Sequence, residues 1–278
     1  MTPAARERLR VRVPLLSISG GAWLLLALQP SSMAMPAYCS AATLGAMPAL
    51  SSIATLVALK PPTSMAAGWA LMLAAMMVPT LIGPVRHVRD RSFARRRVRA
   101  IVLFALAYAA IWMAAGMLLL EAAIVLRLAV PETVLLASAI AVAAVWQFSP
   151  GKQRCLNRCH ARPALAAFGA AADAGALRFG LMQGIWCVGS CWALMLLPVV
   201  VMGWHVAAMA MVALWLSAER LDTPAPPRWR FRVPAKALRI ALAQARTLPV
   251  ATRAFAERGS RAPRAPKRGR ATPPPRAA

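Results

Sequence analysis

Acidic residues are scarce in this chain: eight Asp and Glu stand against 33 Lys and Arg over 278 positions, for a formal net charge of +25. Those near the apolar segments, Glu121, Glu132, Asp173 and Glu219, have no partner at catalytic spacing, which argues against a carboxylate proton relay. A glycine-rich phosphate loop with its lysine is missing, so no ATP-driven pump is visible. The Cys-x2-Cys spacing favoured by redox enzymes is absent too. Histidine is rare, and His87 lies among arginines, where protonation is disfavoured and a cation is repelled. No residue is assigned a catalytic role.

What the chain does have is apolar sequence. It is 60% hydrophobic, and long apolar runs fill most of residues 13–218 while arginines occupy the gaps. Soluble domains rarely combine these properties; a multi-span membrane protein with basic loops does. Stretches near the length needed to cross a bilayer are read at 14–30, 65–83, 100–126, 133–149, 179–202 and 205–218, the last one short. Alternate loops then differ sharply in basic residues. Residues 1–13, 84–99, 150–178 and the tail carry 31 of the 33 Lys and Arg, and the other side receives only Lys60 and Arg127. The positive-inside rule therefore predicts an all-α, polytopic transmembrane bundle of about six spans in a bacterial inner (plasma) membrane, both termini cytoplasmic. The first apolar segment, with small residues around "SSMAMPA", also fits a cleaved signal peptide.

Residues 1–221 read as the transmembrane domain and 222–278 as a basic, Pro-, Ala- and Arg-rich cytoplasmic tail. The tail has few large aliphatics to offset its ordering entropy, so it is expected to be largely disordered. Within it, 235–248 has the pattern of a short basic amphipathic helix on the membrane surface. Arginines at 86–99 read as a solvated loop held against anionic headgroups. The expected partners are the lipid bilayer, those headgroups and a metal-donor or metal-acceptor protein. Nucleic acid is not expected, because the tail lacks interleaved aromatics beyond Trp229 and Phe231. Cys39, alone in an outside loop over 31–64, reads as incidental.

The remaining four cysteines fall into two Cys-x3-Cys pairs. Cys155 and Cys159, followed by His160, stand in "SPGKQRCLNRCHARP" beyond the fourth span; Cys187 and Cys191 stand inside the fifth, in "GIWCVGSCWALM". On a helix, residues four apart share a face with Cβ atoms about 5–6 Å apart, wider than a disulfide accepts. Metal ligation by thiolates is the better use of each pair, with disulfides between the pairs still open. Cys187 lies nine residues past Arg178, about 13 Å into the span at 1.5 Å per residue. A folded-back 155–163 segment would be needed to cover it from the cytoplasmic side.

The fifth span carries Gly180, Gly184, Cys187, Cys191, Met195, Pro198 and Met202 on one stripe. Gly-x3-Gly is a close-packing signature, so this face is expected to look inward. Thiolates with a thioether favour Cu(I), while four thiolates favour zinc. Two thiolates around Cu(I) leave one negative charge and four around a divalent ion leave two, and buried charge is costly. Cu(I) is the preferred ion and Zn the alternative, with Lys152, Arg154 and Arg158 available as counter-charges. Met72 and Met76, on a stripe with Met65 and Trp69, are a secondary metal candidate, although such stripes more often pack a core. His205 and Met209, one turn apart at the outer end of the sixth span, could bind metal, although a satisfied interfacial histidine is the more common case.

The blocks "WALMLAAMMVP" at 69–79, "WQFSPGKQRCLNRCHARP" at 146–163 and "GLMQGIWCVGSCWALM" at 180–195, with "AER" at 218–220, resemble a bacterial family of predicted metal-binding integral membrane proteins, a domain of unknown function. The resemblance covers about 15–221. It implies a polytopic inner-membrane protein that binds metal, sometimes described as copper-handling, with its cysteines at Cys155, Cys159, Cys187 and Cys191. Ser190 stands where the family has a further cysteine, and His160 where Arg tends to follow the second loop cysteine.

The leading expectation is a soft-metal protein, handling Cu(I) by trafficking, insertion or transport, with Cys155, Cys159, His160, Cys187, Cys191 and Met195 as ligands. A membrane thiol-disulfide oxidoreductase and a structural membrane scaffold are the rivals.

Overall fold

The computed structural model describes residues 3–28, 62–201 and 204–244. Cys39, Met202, residues 31–61 of the loop expected over 31–64, and residues 245–278 lie outside the described residues. Among the described residues all regular structure is helical. The elements are α1 (Pro3–Leu28), α2 (Pro62–Met77), α3 (Ile82–Asp90), α4 (Arg97–Ala129), α5 (Glu132–Phe148), α6 (Pro150–Cys159), α7 (Gly169–Val200) and α8 (His205–Leu221), with a 3-10 turn at Val78–Leu81 between α2 and α3. The chain divides into two compact units, Met1–Pro234 and Ala235–Ala278. In the second, residues 235–244 are helical and expose Leu238, Ile240 and Leu242.

Four segments are long and apolar enough to cross a membrane: Arg6–Leu28, Met65–Asp90, Ala94–Arg127 and Gly169–Val200. A fifth exists if α5 and α6, bent by 67° at their junction, count as one. The expected sixth crossing coincides with α8, which has 17 residues.

The sequence explains the bend. Ser149 is an N-cap whose hydroxyl accepts from the Lys152 backbone N–H, and Pro150 occupies the first turn of α6, where its missing N–H costs nothing. The segment expected as a loop past 150 is thus a second helix turned back onto α7. The run at 84–99 is also more ordered than a solvated loop: α3 continues to Asp90. Arg89 pairs with Glu7 at 2.6 Å, and Arg96 and Arg99 both reach Asp173, at 2.9 and 2.8 Å. The expected disorder does not begin at Leu221 either. Asn157 donates to the Ala225 carbonyl, the Arg230 N–H donates to Phe148 O, and Phe231 stacks between Phe148 and Trp215. Phe231 supplies an anchor that the average composition of the tail hides.

The central contact is α4 against α7. A Cβ at Gly180 would come within 2.4 Å of the Phe104 carbonyl oxygen, and one at Gly184 within 2.9 Å of Ile111. The two glycines therefore let the helices approach to backbone contact, as the Gly-x3-Gly spacing predicts. Packing this close forces the next turns of α7, with Cys187 and Cys191, into the core. Met72 and Met76 from α2, Trp112 from α4 and Met209 from α8 belong to the same buried cluster. Leucines and valines on the outer faces of α1, α4 and α5 are exposed instead.

Candidate metal centre

Cys187 and Cys191 are each 1% exposed. Both project from the glycine face of α7, so the packing that buries the glycines buries them. The Cys191 S–H donates to the Cys187 carbonyl one turn back at 2.9 Å. Met195, one further turn along, is fully buried.

Hydrogen-bond donors from two other helices surround the Cys187 sulfur. Arg220, in the last turn of α8, donates from a guanidinium nitrogen to this sulfur at 3.0 Å and to Ser190 Oγ at 3.4 Å. The Tyr108 hydroxyl of α4 lies 3.2 Å from the same sulfur. Trp112, one turn along α4, turns its Nε1 toward Cys187 without closing a hydrogen bond. Such a shell is suited to a sulfur carrying negative charge.

The second pair reaches this place through only one member. Cys159, 3% exposed at the end of α6, faces Arg220 and Ser190. Cys155, one turn earlier and half-buried, rests its sulfur on Gly189, where a Cβ would come within 2.8 Å. Cys159, Cys187 and Cys191 thus gather around one guanidinium, with Cys155 on the flank of α7. All four are free thiols. Among the described residues no group of three or more His, Cys, Asp or Glu is placed to hold a metal ion.

His160 stands where the end of α6 meets the end of α8. Its Nδ1 lies 2.9 Å from Leu156 O and its Nε2 3.2 Å from Arg220 O; a carbonyl only accepts, so a neutral ring donates to one of the two. Donation to Arg220 O would tie the two helix ends and hold Arg220 in place. Arg162 adds positive charge nearby, donating to Cys159 O at 3.3 Å; burial, then the Arg220 charge, pushes its pKa down from the ordinary arginine value.

The counter-charge also differs from expectation. Lys152 is buried in an ion pair with Glu219, which accepts as well from Gln147 Nε2 at 3.1 Å and Trp215 Nε1 at 2.8 Å. Arg158 lies over the Trp186 ring. Arg220 is the cation at the thiols, and sequence reasoning missed that role: only its place in an "AER" block at a span end marked it. Met72 and Met76 are buried in the same core cluster as the thiols.

A family model described as PpoB2, copper chaperone, matches residues 66–242. That range takes in both cysteine pairs, Arg220 and the segment over 222–234. Neither a curated protein nor a solved structure matches.

Proposed function

The chain belongs to the copper chaperone family PpoB2, and from that premise we propose that it is a multi-span inner-membrane protein carrying Cu(I) as cargo on the thiolates of Cys187 and Cys191, beside Met195. Cys155 and Cys159 pass the ion at the cytoplasmic face. The observation that carries this reading is the convergence of Cys159, Cys187 and Cys191 on the Arg220 guanidinium.

Charge and donor number favour Cu(I) over zinc. Two thiolates and one monovalent copper leave one negative charge, which Arg220 neutralises inside a low-dielectric core. A structural zinc site closes around four donors, and no group of even three is placed for that among the described residues. Cys159, on a helix folded back from the cytoplasmic side, can exchange the ion with Cys187 by replacing one thiolate with another. That stepwise ligand replacement is what a chaperone requires.

Six crossings with both ends in the cytoplasm remain the membrane arrangement of this proposal. The exposed apolar faces of α1, α4 and α5 suit lipid contact. A helix of 17 residues such as α8 is about 25 Å long, at the short end of spanning length. A bent α5–α6 pair gives one crossing and a folded-back arm.

The test is anaerobic purification of the full chain in detergent, with bound copper and free thiols measured together. Copper in wild type with one thiolate-ligated equivalent, that equivalent lost on Cys187→Ser with Cys191→Ser, is the expected result. Metal-free protein with paired disulfides would turn the reading toward a thiol oxidoreductase, and metal-free protein with every thiol reduced toward a scaffold.

A further inference from the structure

Beyond the thiols, at the far end of α7, a second donor is buried without an occupant. His205, the first residue of α8, is 4% exposed. Its Nδ1 is hydrogen-bonded to the backbone carbonyl of Pro198, in the last turn of α7. A carbonyl only accepts, so Nδ1 carries the proton. In the neutral ring Nε2 then holds a bare lone pair, and Nε2 is buried with no partner among the described residues.

A buried acceptor left unpaired loses its hydration with nothing in return, so such an atom calls for a ligand. A ring fixed through Nδ1–H to a carbonyl, with Nε2 free, has the orientation and tautomer that protein folds impose on metal-binding histidines. Met209 supplies an independent second donor. It is fully buried and lies four residues on, so its thioether leaves the same face of α8 one turn away. His205, Met209, Val212, Leu216 and Glu219 form the buried stripe of that helix, which packs on α7 and α2.

We infer that His205 Nε2 and the Met209 thioether form a second binding site, for a soft monovalent cation of the Cu(I) class, separate from the cysteine site. Imidazole and thioether are both copper donors. Both are neutral, so a bound ion brings its whole charge into the core; a single charge costs far less there than a double one. The carbonyl end of α7 points to the same place, and the negative end of a helix favours a cation. Pro198 is seven residues beyond Cys191, about 10 Å along the axis, so the two sites would lie in series along α7. Only the identity of the ion rests on the copper-carrying reading; the site rests on the orphaned nitrogen.

The full chain, reduced and in detergent, is titrated anaerobically with Cu(I) against a competing chelator, and the bound ion is characterised by X-ray absorption. The variants are His205→Asn, whose amide can still donate to the Pro198 carbonyl but offers nothing in place of Nε2, and Met209→Leu, which conserves volume. Wild type is expected to bind one equivalent more than His205→Asn, and Met209→Leu to weaken that equivalent by at least about tenfold. A Cys187→Ser, Cys191→Ser protein should retain one equivalent with nitrogen and thioether ligation. Full copper binding in both His205→Asn and Met209→Leu overturns the second site and leaves the thiol reading standing. Copper binding undiminished in the cysteine variant but abolished on His205→Asn upholds this site and sinks the thiol reading. Wild-type protein that binds no copper refutes both. Met209→Leu decides the matter if His205→Asn does not fold.

Discussion

A guanidinium in the last turn of an apolar helix has two options: to reach outward to the membrane surface, where its stem lies along apolar atoms, or to turn inward and find a negative charge. Arg220 turns inward, and its partners explain why. Cys187 Sγ, Ser190 Oγ and the neighbouring Cys159 thiol replace the water it gives up. If this cation neutralises a copper dithiolate, Arg220→Met should lower Cu(I) affinity by at least about tenfold. Arg220→Lys should fall between Met and wild type, because an ammonium keeps the charge on a shorter side chain with a more strongly hydrated head. Chelator competition measures both, and unchanged affinity in Arg220→Met would remove Arg220 from the binding machinery. At this scale the four thiols were legible, since their spacing of four places each pair on one helix face. Arg220 was not, because a basic residue at a helix end ordinarily marks the interface. Neither was the place of His160, whose two neighbouring carbonyls lie on different helices.

Between elements, the α4–α7 contact decides where the thiols lie. A methyl group at Gly180 has nowhere to go, since the nearest atom is a backbone oxygen that cannot rotate away. Gly180→Ala should therefore destabilise the protein by about 1–3 kcal/mol and lower its thermal midpoint in detergent. Gly20 in α1 has nothing within 4 Å of the same added atom. Gly20→Ala should be neutral or stabilising by about 0.5–1 kcal/mol, which makes it the matched control. Equal effects at both positions would mean that close packing does not govern this contact. The glycine stripe could be read from helical spacing alone. The bend between α5 and α6 carried a local signal as well, a Ser-Pro pair that caps a new helix. Its direction carried none, because that follows from Cys155 seating on Gly189 and from Trp146 donating to the Gly189 carbonyl at 3.1 Å.

Across the whole molecule the strongest signal is the uneven distribution of charge. With 31 of 33 basic residues on one side of the proposed layout, reporters fused after residue 244 and before α1 should both read as cytoplasmic, and a reporter within 31–61 as external. An external tail would leave an odd number of crossings and demote α8 or the α5–α6 pair from the membrane. Periodicity and composition were enough, without coordinates, to indicate a helical chain, its long apolar segments, the inward glycine face and two thiol pairs at helical spacing. Those properties repeat along one helix or one stretch of chain, so local geometry suffices to state them. Only the tertiary structure decided that Cys159, not Cys155, joins the buried thiols, that Arg220 and not Lys152 supplies the charge, and that His205 keeps a nitrogen bare. Each of these depends on which helix end meets which, and that is settled by packing between segments tens of residues apart, where no spacing rule reaches.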